Sequence, residues 1–341
     1  MIGRAGPVEL TAESCAAYLA GRGEAAVDRL TITELGGGVS NSVLLVEGQD
    51  RRFVLKQSLA RLRVEDDWQA DRSRIFREAA ALRDAALILP AGAAPRVLWI
   101  DEQNFLFAMS AAEPGAETWK ARLLRGQIEP AVAAAAGSLL GLLIRASWEN
   151  AAFGKRYGDQ TAFHQLRVDP YYRTVARRNP DLAGRIEKVI AESAARRVAL
   201  AHGDWSPKNF LVSGGAVLVI DYEAAHYGDP SFDAAFCINH FLLKCFRSPG
   251  QAARLLELAR VFYTWTAGLL PAAALPFFEA ATAAHLGCLM LARIDGKSPV
   301  EYLAGEDRRQ AVRAAARQMI REKPDKLDAC YALVAGEAAR L

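Results

Sequence analysis

Along the 341-residue chain, the spacing of apolar side chains changes character near residue 110. Before that point they alternate with polar residues in short runs, at 27–35, 42–46, 52–56, 95–100 and 105–109, separated by turn residues, which predicts five strands. A short helix is expected at 11–20, capped by Thr11. A longer one at 71–86 places Ile75, Ala79, Leu82 and Ala86 at helical spacing. Beyond residue 117 the apolar positions recur every three or four residues, predicting helices at 130–147, 170–177, 180–195, 231–243, 251–266, 275–293, 306–321 and 325–339. A polar loop and two short strands interrupt them near 200–220. The expected fold class is therefore α+β and bilobal. A small antiparallel sheet lobe with one helix (1–110) precedes a larger, mostly helical lobe (111–341), joined through a stretch containing Pro114 and Gly115. A cleft between two such lobes is the default place for a ligand.

The interruption carries the chemistry. In VALAHGDWSPKNFLVSGGAVLVIDYEAAHYGDPSFDAA, residues 198–235, His202, Asp204 and Asn209 share a polar loop between apolar runs, and Asp221 and Glu223 end the next run. Carboxylates at the ends of apolar segments are costly unless a cation or hydrogen bonds compensate them. A magnesium and general-base site is the reading that follows, since magnesium takes hard oxygen ligands. In the first lobe, Gly36-Gly37-Gly38-Val39-Ser40-Asn41 joins strand to strand, which excludes the strand-to-helix context of a dinucleotide fingerprint. Such a loop can turn backbone N–H groups to phosphates, or it can simply reverse the chain. Lys56 shares a strand face with Val54, opposite the apolar face of Phe53 and Leu55. Glu78 lies along the apolar stripe of its helix and needs a cation; Lys56 is one candidate, and Arg74, four residues earlier, is the local alternative.

Bulk properties narrow the function classes. The net charge is +3 and no Lys/Arg run occurs, so nucleic acid is not expected as the main partner. The most apolar run, 131–144, is shorter than the ~20 residues a membrane span requires, so no membrane is expected as a partner either. The first residues lack the apolar segment of a signal peptide. Cysteines 15, 237, 245, 288 and 330 are scattered without CxxC spacing, as expected of a cytoplasmic chain. His202, His226 and His240 lack the HExxH spacing of a metal hydrolase.

HGDWSPKN followed by VIDYE resembles the catalytic and metal-binding motifs of the aminoglycoside phosphotransferase and choline kinase family, which has the protein-kinase-like fold. The order of glycine loop, strand Lys, helix Glu, linker and polar loop matches as well, over about 31–235. The resemblance implies an ATP- and magnesium-dependent small-molecule kinase with Asp204 as the catalytic base. It implies Asn209 and Asp221 as magnesium ligands, with Glu223 at a second metal or bonded to the loop, and His202 holding the loop backbone. Lys56, held by Glu78, would pair with the α- and β-phosphates under Gly37, Gly38, Ser40 and Asn41. Adenine would lie against Val54 and bond to backbone at Ser110 and Ala112. Asp233 would accept hydrogen bonds from the loop rather than take part in chemistry. HGD in place of HRD, and IDYE in place of DFG, argue against a protein kinase. The presence of Lys56, Asp204, Asn209 and Asp221 together argues against a non-catalytic nucleotide-binding module. Residues 56–83 and 221–233 look most like methylthioribose kinases, which implies a sugar or thiosugar acceptor, with an aminoglycoside as the alternative. Those kinases carry an arginine doublet where Ala292 precedes Arg293 here. Trp205, His226, Tyr227, Asp229 and Arg293 are the candidate walls of the acceptor site.

Overall fold

The computed structural model describes residues 9–24, 29–36, 41–59 and 71–341; Gly37, Gly38 and Ser40 lie outside the described residues, as does the stretch 60–70. The chain forms two compact units, Met1–Pro114 and Gly115–Leu341.

The first unit opens with α1 (Ala12–Gly21). Thr11 caps it reciprocally: its hydroxyl accepts from the Ser14 N–H, and the Ser14 hydroxyl accepts from the Thr11 N–H. Strands β1 (Thr31–Glu34), β2 (Asn41–Glu47) and β3 (Arg52–Ser58), helix α2 (Arg74–Ile88), then β4 (Val97–Asp101) and β5 (Leu106–Ser110) follow. The strands form one antiparallel sheet in the order β1-β2-β3-β5-β4. Phe53, Leu55, Leu44, Val46, Leu106 and Ala108 pack with Leu10, Cys15 and Leu19 at α1. Strand alternation therefore turns Val54 and Lys56 to the opposite face. On α2, Ile75, Ala79 and Leu82 are buried together with Glu78. Asn41, expected in the glycine loop, instead opens β2 opposite Ser58, because the ladder with β3 extends a residue further than the apolar pattern indicates.

The second unit begins with β6 (Glu117–Thr118), paired to a later strand, so the segment expected to be a linker ends in a sheet. Helices α3 (Trp119–Leu124), α4 (Pro130–Ser147) and α5 (Ala151–Tyr157) follow. Then α6 (Thr161–Phe163), a π-helical segment (His164–Arg173) and α7 (Thr174–Arg178) run on continuously. The sequence pattern starts a helix at Pro170, a common first-turn residue. The helix instead passes through Pro170, and the wider π-turn accommodates the missing N–H and the ring. Helix α8 (Ala183–Ala195) and β7 (Ala199–Ala201) lead into the polar loop, which contains a 3₁₀ turn (Pro207–Asn209). The hairpin β8 (Phe210–Ser213) and β9 (Ala216–Val219) comes next, with β8 pairing to β6. After β10 (His226–Gly228), which pairs with β7, the remainder is helical: α9 (Ser231–Arg247), α10 (Ala252–Ala267), α11 (Leu275–Asp295), α12 (Glu306–Glu322) and α13 (Leu327–Ala338).

Helices α4 and α11 are long and apolar enough to cross a membrane, but their apolar windows are 56% and 67% buried inside the protein, which makes them core helices. Where α4 meets α10, a Cβ on Gly137 would lie 2.3 Å from the Phe262 carbonyl oxygen, so only glycine permits that close crossing.

Candidate active site

In the first unit, Lys56 Nζ lies 2.7 Å from Glu78 Oε1, and both side chains are almost fully buried. Burial makes each charge depend on the other. Arg74, the local alternative partner, donates to the Asp71 carbonyl. Val54 is buried beside Lys56 on the same strand face. The Ser110 N–H donates to the Arg96 carbonyl, and the Ala112 carbonyl accepts from the Arg52 guanidinium. Two of the backbone groups expected to meet adenine thus already have protein partners.

In the second unit, the polar loop is held from both ends. Gly203 sits at φ +77°, and a Cβ there would lie 2.5 Å from the Ala224 carbonyl oxygen. The loop can therefore take this shape only with glycine. Asp233, in the first turn of α9, accepts the N–H groups of His202 (2.6 Å) and Gly203 (2.8 Å). Burial pushes the Asp233 carboxyl up to about 7 against the pull of those donors. His202 Nδ1 accepts the Asp204 N–H at 3.1 Å, and Nε2 lies 3.2 Å from the Ile220 carbonyl. That tautomer ties the loop to the residue before Asp221, and burial, pushing the imidazole down to about 4, keeps it neutral.

Asp204 is buried, with Oδ2 2.7 Å from Arg167 Nη2 and 2.8 Å from Lys208 Nζ. Its Oδ1 accepts the Ser206 hydroxyl at 3.2 Å. Burial raises its pKa, but the Arg167 and Lys208 charges outweigh burial and hold the carboxyl below its ordinary value. Arg167 comes from the π-helical segment. Its Nε donates to the Gly203 carbonyl at 2.7 Å, and its guanidinium lies 5.9 and 5.6 Å from the Tyr171 and Phe236 ring centres. Neither cation was singled out from the sequence. Lys208 carried a signal, four residues after Asp204 in the same loop. Arg167 carried none, being one arginine among many in a distant helix.

Asn209 donates Nδ2 to the Asp204 carbonyl at 3.0 Å, which turns its amide oxygen elsewhere, as a metal ligand requires. Asp221 adopts φ 71°, a left-handed conformation that a non-glycine residue holds only under constraint. Glu223 is buried two residues on, beyond the fully buried Tyr222. These donors are all oxygen, which suits magnesium. Among the described residues no group of three or more His, Cys, Asp or Glu is placed to hold a metal ion by itself.

The candidate acceptor walls separate. Trp205 is fully buried and packs on His202 and Phe210, so it supports the loop from within. The Tyr227 hydroxyl donates to the Val198 carbonyl. His226 and Asp229 line a small, open pocket together with His164, Val168 and Tyr172. The π-helical segment thus turns those residues to the cavity while directing Arg167 to Asp204. Arg293 stays with the loop side, donating to the Tyr171 hydroxyl at 3.0 Å.

The profile of a phosphotransferase enzyme family matches residues 31–244. The chain is 27% identical over 265 residues to methylthioribose kinase 2 of Oryza sativa subsp. japonica, covering 70% of this chain and 61% of that protein. It is 27% identical over 252 residues to a methylthioribose kinase of Escherichia coli, covering 65% and 59%. The matched segment therefore spans about three-fifths of these curated relatives. A crystal structure of a choline kinase from Cryptosporidium parvum superposes with a TM-score of 0.55 over 96% of this chain and 98% of that one, at 14% identity, and so shares the fold.

Proposed function

Because the chain belongs to the phosphotransferase enzyme family, we propose that it transfers the terminal phosphoryl group of ATP to a hydroxyl of a small molecule, with magnesium as the cation. The supporting observation is Asp204: a buried carboxylate kept ionised by Arg167 and Lys208, on a loop that Asp233 grips by two backbone N–H groups. In this reading Asp204 accepts or orients the acceptor hydroxyl. In a loose phosphoryl-transfer transition state that positioning counts for more than full deprotonation. Asn209 and Asp221 hold magnesium, which when bound neutralises charge on the phosphates, and Glu223 either joins a second ion or braces the loop. Lys56, fixed by Glu78, serves the α- and β-phosphates, with Gly37, Gly38, Ser40 and Asn41 assigned to cover them and Val54, Ser110 and Ala112 to adenine. Residues up to about 110 form the nucleotide-binding lobe, and those beyond it the catalytic and acceptor-binding lobe. Five unpaired, buried cysteines fit a cytoplasmic enzyme.

A sugar-like acceptor is the favoured class, since the curated relatives are methylthioribose kinases. The test is an ADP-release screen of the purified protein against sugars, thiosugars, amino alcohols and aminoglycosides. One acceptor should stimulate ADP release far above the background rate and lose that stimulation in Asp204→Ala. Turnover retained in Asp204→Ala would remove the catalytic assignment.

A further inference from the structure

Helix α9 carries a stripe that begins at the loop and leads away from it. Asp233, Phe236, His240 and Lys244 follow at spacings of three, four and four, and so share one face. Asp233 holds the loop backbone, and Phe236 lies under the Arg167 guanidinium. At the far end, about 16 Å along the helix from Asp233, Lys244 is 2% exposed. Its ammonium donates to the His240 carbonyl at 3.1 Å and lies 4.7 Å from the Tyr302 ring centre. Among the described residues no carboxylate pairs with it.

The groups around Lys244 share that condition. Arg293 bonds to Tyr171 and Ser298 and has no carboxylate partner among the described residues; its Nε is buried without an acceptor. The Tyr302 hydroxyl is likewise buried without a partner. Nearby Glu301 is already paired with Lys120, and Asp204 with Arg167 and Lys208. Burial, then Lys120, drives the Lys244 ammonium down to about 7; Cys237 opposes this, Arg293 adds to it, and Glu301 opposes it last. His240 is pushed down by burial and by Arg293, Lys244, Lys208 and Lys120 together. Arg293 Nε and the Tyr302 hydroxyl are buried donors without acceptors, which is expensive, and an oxyanion is the ligand that satisfies both while giving Lys244 and Arg293 the negative partner that no carboxylate supplies.

Building on the kinase reading, we propose that the acceptor carries an oxyanion, a carboxylate or a phosphate, which Lys244, Arg293 and Tyr302 receive while its hydroxyl lies at Asp204. Arg293 is connected to Asp204 through Tyr171 and Arg167, so one chain of contacts links the anion end to the reacting end. Polycationic acceptors are disfavoured by the same charges.

The test compares acceptors of one skeleton: a pentose, the matching pentonate and the pentose 5-phosphate. An anionic form should exceed the neutral sugar in kcat/KM, and whether pentonate or phosphate leads identifies the oxyanion. Lys244→Met and Arg293→Gln should each lower that kcat/KM about 10- to 100-fold, as expected for a charge-assisted hydrogen bond. Lys188→Met, an exposed control, should leave it unchanged. Methionine retains the bulk of Lys244 and is at ease when buried, and circular dichroism checks that each variant folds. Equal or better turnover of the neutral or an aminated sugar, or unchanged kinetics in both variants, overturns the proposal while leaving the kinase reading standing. If no acceptor is turned over, thermal shift with pentonate, pentose 5-phosphate and inorganic phosphate decides separately. Stabilisation that disappears in Lys244→Met supports the oxyanion site whatever the outcome of the kinase screen; no stabilisation overturns the oxyanion site.

Discussion

Arg167→Met leaves Asp204 with Lys208 at 2.8 Å and removes the guanidinium at 2.7 Å. The Arg167 and Asp204 side chains are only 8% and 1% exposed, and losing one partner of such a pair costs about 3–5 kcal/mol. Lys208 remains, so the lower end, ~3 kcal/mol, applies. The Gly203 carbonyl also loses its Nε donor, adding about 1 kcal/mol. Asp204 can escape part of the cost by taking up a proton. Its carboxyl pKa should therefore rise in the variant. In the unmutated protein its folded pKa lies below the unfolded value. Its stabilisation is therefore present above the unfolded carboxylate pKa, about 4, and is lost as pH falls through the lower folded pKa. The stability gap between the two proteins should be full near neutral pH and close in acid. The assays are thermal unfolding across that pH range and the pH profile of kcat, whose acid limb should move to higher pH in the variant. A gap independent of pH, together with superimposable acid limbs, would refute the view that Arg167 keeps Asp204 ionised.

Glu78→Gln removes the carboxylate 2.7 Å from Lys56. It should cost about 3 kcal/mol in stability and raise KM for ATP about tenfold; an unchanged KM would show that the pair is structural only. Asp221→Asn keeps a residue type that tolerates the left-handed backbone at φ 71°. It should unfold near the unmutated temperature yet lose the magnesium-dependent part of nucleotide stabilisation, whereas Asp221→Ala should cost about 1 kcal/mol more. A magnesium response surviving in both variants would remove Asp221 from the metal site.

Lys56 and Glu78 were legible in the chain itself. Strand alternation set Lys56 against Phe53 and Leu55, and helical spacing put Glu78 on a buried stripe; both periods are imposed by covalent geometry and require no knowledge of the fold. HGDWSPKN and VIDYE were legible for a similar reason, since loop and strand ends lie within a few residues of one another. Asp233 was legible too: a carboxylate in an apolar helix turn must find donors, and it found the N–H groups of His202 and Gly203. Trp205 shows the limit, because an aromatic beside Asp204 reads equally well as a wall or as core, and burial alone decides. Arg167 and Lys244 lie beyond that limit. Each is one cation among many in the sequence; the π-turn around Pro170 brings the first to Asp204, and folding buries the second against the Tyr302 ring, far away in the chain. Local periodicity determines which face a side chain takes. What it meets there, and whether its charge is compensated, depends on contacts between distant segments that exist only once the chain has folded.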